Sequence, residues 1–304
     1  MTYPHPPYRL GLDIGGTAIK AGLVSDTGEV CSLARLEARP LMSVSACREL
    51  AFELAEKLPD LPLAEDAGVA VAGAVDLHGA LVLMPNIQLD PRLLACALEQ
   101  ELGLSCAPPI NDADAAALGE LGSRPGTSDL LLVTLGPGVG AGIVSGGRLL
   151  AGARGCAGEL GHLKVAPEGR ACSCGGSGCL ERYCSASGLL LTYGEQPGRD
   201  PRVREAREVF AACRAGEAAA LRAVSEMAAT LGRGLAQACC LIDPELVVIG
   251  GGMGAEGDLY LDATRRSFDS RCLPPQRGLP IERARLGNAA GVVGAAAWSR
   301  GRPA

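Results

Sequence analysis

No apolar run in the sequence approaches the ~20 residues that span a bilayer, so a membrane-spanning helix is not expected. The opening MTYPHPPYRL is Pro-rich and lacks the charged-then-apolar pattern of a secretory leader. There is no basic run, and the net charge is −6. Phosphate contacts supply most of the affinity of nucleic-acid binders, and the electrostatic footprint of such a protein is missing. No low-complexity segment and no short-period repeat occurs. Histidine is scarce, with three in the chain, and His5 and His78 have only surface or loop settings. A C-x-x-C redox pair is also absent. These absences point to a cytoplasmic protein without a membrane or nucleic-acid partner.

What is present describes a globular chain. Hydrophobic residues make up 48% and charged residues 20% of 304 positions, ordinary for a soluble protein. A chain this long can form two domains and bury a core without metal or disulfide help. From Arg9, RLGLDIGGTAIKAGLV reads as strand, glycine turn, strand. Leu50, Leu54 and Leu58 recur at helical spacing over about 44–58. AGVAVAGAVD is an apolar strand, and CAPPINDADAAALGEL runs from strand into helix, with Asn111 or Asp112 at the cap. DLLLVTLGPGVGAGIVSGGRLL then repeats the strand, glycine turn, strand pattern. Alanine-rich helix is expected over about 202–240, PELVVIGGGMG is a strand emptying into glycines, and NAAGVVGAAAWS closes as a helix. Strands alternating with helices define an α/β protein, and two similar halves imply two related lobes with a cleft between them.

Successive N–H groups in a glycine turn form a concavity suited to phosphate oxygens. Gly15 and Gly16 are placed to present such groups, with a hydroxyl from Thr17 and, just before the turn, the Asp13 carboxylate as a Mg²⁺ donor. Neither a Walker A motif nor a dinucleotide fingerprint fits, because these turns lead into strands rather than helices.

Thirteen cysteines would be expected to stay reduced in the cytosol. Cys172, Cys174 and Cys179 crowd into CSCGGSGC, with His162 upstream. Those four side chains supply the number and kind of ligands that structural zinc takes. A Cys172–Cys174 disulfide would close a strained ring. The residues alone favour a metal over a disulfide without fixing it.

Taken together and in order, LGLDIGGTAIKAGLV, INDADAAALGE, LGPGVGAGIV, GCAGELGHL, CSCGGSGCLERY and VVIGGGMG resemble the ROK family (repressor, open reading frame, kinase) over essentially the whole chain. The resemblance implies a two-lobed actin-like ATPase (ribonuclease H-like) α/β fold with an interlobe cleft. It divides the chain into a smaller lobe, 1–113 plus 289–304, and a larger lobe, 114–288. It implies an ATP-dependent hexose kinase that phosphorylates a sugar 6-hydroxyl. Glucose comes first among the substrates, followed by N-acetylhexosamines, mannose, fructose or allose.

By the same resemblance Asp112 is the catalytic base. Gly73, Asn86, Asn111, Asp112, Glu159, His162 and Glu181 contact the sugar. Asp13, Gly15, Gly16, Thr17, Gly136, Gly138, Gly140, Gly250, Gly251 and Gly252 serve ATP and Mg²⁺. His162, Cys172, Cys174 and Cys179 hold a structural Zn²⁺, and the chain forms a homo-oligomer, dimer or tetramer. A helix-turn-helix module would not fit in the ~10 residues ahead of the first loop, which favours an enzyme over a repressor. A sugar-binding regulator without catalysis is the other alternative. Three positions depart from the family pattern: Pro137 in place of threonine, Asp114 in place of asparagine, and no tryptophan after Pro85-Asn86-Ile87.

Overall fold

A computed structural model describes residues 7–76, 80–83 and 88–300. His5, His78 and Asn86 lie outside the described residues, so the sugar contact expected at Asn86 has no structural counterpart here. In chain order the strands and helices are β1 (Tyr8–Ile14), β2 (Ala18–Val24), β3 (Val30–Glu37), α1 (Val44–Lys57), β4 (Leu63–Val71), β5 (Ala74–Val75), β6 (Leu81–Leu83), α2 (Pro91–Leu102), β7 (Ser105–Cys106), β8 (Ile110–Asn111), α3 (Asp112–Gly122), β9 (Leu130–Leu135), β10 (Val139–Ser145), β11 (Arg148–Leu149), α4 (Glu181–Cys184), α5 (Ala186–Gly194), α6 (Ala206–Arg214), α7 (Ala218–Ile242), β12 (Leu246–Gly250), α8 (Leu261–Asp269), β13 (Ile281–Arg283) and α9 (Ala290–Ser299).

These elements form two compact units, one of 1–128, 142–157 and 288–304, the other of 129–141 and 158–287. In this division α3 and the segment 142–157 belong to the first unit. Glycines explain this. A Cβ on Gly119 of α3 would stand 2.5 Å from the Ala290 carbonyl of α9, and one on Gly142 would stand 2.6 Å from the Ala113 carbonyl.

The first unit is built on the strand order β3-β2-β1-β4-β7, with β8 also paired to β4. The β1–β4 pair is parallel and the β1–β2 pair antiparallel. Alternation along β1 sends Leu10, Leu12 and Ile14 into a core shared with Leu50 and Leu54 of α1 and Leu94 and Leu98 of α2. Gly11 faces the other way. It lies in register with Gly22 on one neighbour and Gly68 on the other, forming a trough three strands wide. Helix α9 lies in this trough with its backbone against the sheet. A Cβ at Gly11 would be 2.1 Å from the Val292 carbonyl, and one at Gly68 would be 1.8 Å from that of Ala295.

In the second unit β12 lies parallel to β9 and to β13, and β9 turns into β10 through residues 136–138. The helix expected over 202–240 is two helices, α6 and α7, divided at Gly216, where φ is +82°. Alanine content alone did not reveal this break. No helix among the described residues is long and apolar enough to cross a membrane.

Candidate active site

In the first unit, the parallel strands β1 and β4 end beside the start of α3, and this brings three charged side chains together. Asp13 is buried at the end of β1 and accepts from the Lys20 ammonium at 2.9 Å. Asp13 and Lys20 are register partners across the β1–β2 hairpin. Asp112 is half-buried at the first position of α3. Burial first, and the Asp13 charge second, push its carboxyl up to about 6, opposed by backbone N–H donors and by Lys20.

The helix cap belongs to Asn111. Its Oδ1 accepts from the Ala113 and Asp114 N–H groups at 2.8 and 3.1 Å, and its Nδ2 donates to the Gly73 carbonyl at 2.8 Å. Asp112 also accepts from Ala113, but it is not the residue that closes the helix end. Asn111 and Gly73, both expected at the sugar, are thus bound to each other. In the first glycine turn the Gly15 N–H is taken up by the Ala18 carbonyl at 3.0 Å, closing the hairpin. Gly16 and Thr17 are left at the exposed tip. Lys20 was not read from the sequence. Its signal would have been the antiparallel register, which places the residue seven positions after Asp13 directly opposite it.

In the second unit the other glycine turn is a tight hairpin closed by Gly136 N–H donating to the Gly138 carbonyl at 3.0 Å. Pro137 sits at its exposed tip, where no strand pairing is lost by the missing N–H. Glu181 Oε2 accepts from the Val139 N–H at 3.1 Å, just past the turn. At the end of β12, Gly251 has φ +77°, and a Cβ there would stand 2.4 Å from the Leu135 carbonyl. Gly250 and Gly252 flank it, so this glycine run packs on the end of β9.

The nitrogen and sulfur ligand atoms of His162, Cys172, Cys174 and Cys179 all lie within 4.8 Å of one another. His162 turns Nδ1 toward Cys172, with Nδ1 and Sγ 3.7 Å apart, and Nε2 toward Glu159 Oε2 at 3.8 Å. The Cys174 thiol is lowered to about 7, first by the Gly176 backbone N–H and then by its cysteine neighbours. Lys164 donates to Cys179 Sγ at 2.7 Å, a bond that raises its own pKa. Three soft sulfurs and one imidazole in this space fit a tetrahedral metal with no open position. Arg170 braces the segment from behind. It donates to the Arg182 and Gly188 carbonyls, to Thr192 Oγ1 and to Glu195, and its guanidinium lies 4.7 Å from the centre of the Tyr183 ring. Neither Lys164 nor Arg170 was singled out by sequence, where each reads as a solvated charge.

A glycine-turned hairpin at the head of each unit, followed by parallel strands and covering helices, is the layout of the actin-like ATPase fold, and solved sugar kinases share it. Within that fold the chain belongs to the ROK family, whose model matches residues 9–302. A glucokinase from Halalkalibacterium halodurans is 35% identical over 308 residues, covering 94% of this chain and 92% of that one. An N-acetylmannosamine kinase from Escherichia coli O139:H28 is 33% identical, covering 96% of this chain and 98% of its own length. The solved ROK family glucokinase from Streptomyces griseus, in complex with glucose and AMPPNP, is 33% identical with a TM-score of 0.80, covering 96% of this chain and 99% of the other.

Proposed function

We propose that this protein is an ATP-dependent glucokinase that transfers the γ-phosphoryl group of ATP to the glucose 6-hydroxyl. The observation that carries the reading is Asp112, a half-buried carboxylate at the start of α3 whose capping task has passed to Asn111. A sugar hydroxyl is too weakly acidic to ionise in advance, so a base must take its proton as charge develops. Asp112 accepts that proton while the sugar oxygen bonds to the γ-phosphorus and the bond to the ADP oxygen breaks.

The remaining residues orient and neutralise, which is most of what phosphoryl transfer requires. Gly16, Thr17, Gly138 and Gly140 present N–H groups to the phosphates, and the Gly250–Gly252 run borders the adenosine. Asp13 keeps Oδ1 outside its bond to Lys20 and is the oxygen donor for Mg²⁺. Glu159, Glu181, His162 through Nε2 and the remaining N–H of Asn111 hold sugar hydroxyls. His162 through Nδ1, Cys172, Cys174 and Cys179 would bind Zn²⁺, which supplies rigidity to this wall when present. A homo-oligomeric state, dimer or tetramer, belongs to the same proposal and is read by light scattering.

The test is ADP release from purified protein with ATP·Mg²⁺ and single sugars: glucose, N-acetylglucosamine, N-acetylmannosamine, mannose, fructose and allose. Glucose should give the highest kcat/KM. Asp112→Asn should lower kcat by roughly 10²–10⁴-fold while sparing sugar binding. Turnover of the variant near that of the parent removes the base assignment. Preference for N-acetylmannosamine would favour the second reading, which the Escherichia coli relative supports. Silence across the panel from folded protein would favour a sugar-binding regulator.

A further inference from the structure

We propose that Glu181 positions the second phosphate loop and couples it to the sugar, an inference that rests on the kinase reading above. The loop has few bonds that fix its shape. Gly136 N–H is turned inward to the Gly138 carbonyl, and Pro137 has no N–H to give. Its two ends are gripped by one short segment. Ala186 N–H donates to the Gly136 carbonyl at 2.8 Å, and Glu181 Oε2 accepts from Val139 N–H at 3.1 Å.

The carboxylate also fills the space over Gly138, where an added Cβ would stand 2.6 Å from Oε2. Glu181 follows Cys179 closely, so the grip continues directly from the Cys/His cluster. Only Oε2 takes part in the Val139 bond. The sugar contact proposed above is assigned to Oε1, and one carboxylate then serves both substrates. A sugar hydroxyl on Oε1 fixes the plane of the group and with it the hold on Val139. By linkage, nucleotide on the loop must strengthen sugar binding by the same factor.

The measurement is titration of sugar-free protein with AMPPNP and Mg²⁺, because a pure sugar contact predicts no effect there. Glu181→Ala should weaken nucleotide binding about tenfold, the scale of a lost charge-assisted hydrogen bond. Glu181→Gln should stay within about threefold, since the amide oxygen still accepts from Val139. Gly138→Ala should match Glu181→Ala, because its methyl displaces the flexible carboxylate rather than backbone. Adding it to Glu181→Ala should weaken binding no further.

Unchanged affinity in Glu181→Ala overturns the inference, as does a Gln variant as weak as the Ala variant. If Glu181→Ala loses its melting transition, the other two single variants decide. An intact Gln variant beside a weakened Gly138→Ala supports the grip, and two unchanged affinities overturn it. Parent protein that binds no AMPPNP is a different result: it removes the kinase reading, and the inference with it.

Discussion

Asn111 and Asp112 stand side by side at a helix start, and either type of side chain can close a helix end. The structure divides the work. Asn111 is held on Oδ1 by two N–H groups and on Nδ2 by Gly73, which leaves Asp112 facing Asp13 and Lys20. Asp112 accepts a proton only when ionised, and its carboxyl is raised to about 6. The expected kcat/KM for sugar therefore climbs with pH through a limb near that value. Lys20 opposes the shift, so Lys20→Met should move the limb to higher pH, read from a pH–rate profile of both proteins. A limb that stays in place would separate Lys20 from the base. The pair at 111–112 was legible because the polar residues sit where a strand turns into a helix. Lys20 was not, since its role comes from cross-strand register rather than from any local pattern.

At the scale of the element, the segment from His162 to Glu181 is short and almost without regular structure. Its ligand types were legible because thiols cluster there, but the groups that hold it are long, charged side chains with no period to betray them. Lys164 sets an ammonium on Cys179, and Arg170 binds the following helices. With a divalent ion bound, three thiolates and a neutral imidazole would carry one surplus negative charge, which Lys164 would offset. Lys164→Met should release zinc to a chelator several-fold faster, followed by the absorbance of a metallochromic dye. Full removal of the metal should lower the melting temperature and weaken sugar binding. Protein that keeps both without metal would detach the cluster from the site. The long helix expected over 202–240 shows a different limit: helix-forming composition hid the Gly216 break, where positive φ ends one helix before the next begins.

For the molecule as a whole, the two glycine-turned hairpins were legible as a repeat, and the family resemblance followed from these and four further motifs in their order along the chain. The unit boundaries depend on which backbones touch. Gly294 on α9 shows how close the contact is: a Cβ there would stand 1.6 Å from the Ala115 carbonyl of α3. Gly294→Ala should therefore destabilise the protein by about 1–3 kcal/mol or more, measured by urea unfolding. Gly122→Ala, at an open position on the same helix pair's outer end, should be neutral or stabilising by up to about 1 kcal/mol. Equal effects of the two would mean that α9 does not pack this closely against α3. Such contacts join segments from distant parts of the chain and leave no trace in the composition of either.

The glycine trough also has a consequence in time. Its strands β1, β2 and β4 are made well before α9, the helix that fills it. At about 5–20 residues per second, translation from the end of β4 to the end of α9 leaves the trough uncovered for roughly 10–45 s. During that interval the nascent strands that carry Asp13 and Lys20 show bare backbone to the cell, and this is the period in which chaperones have access to them.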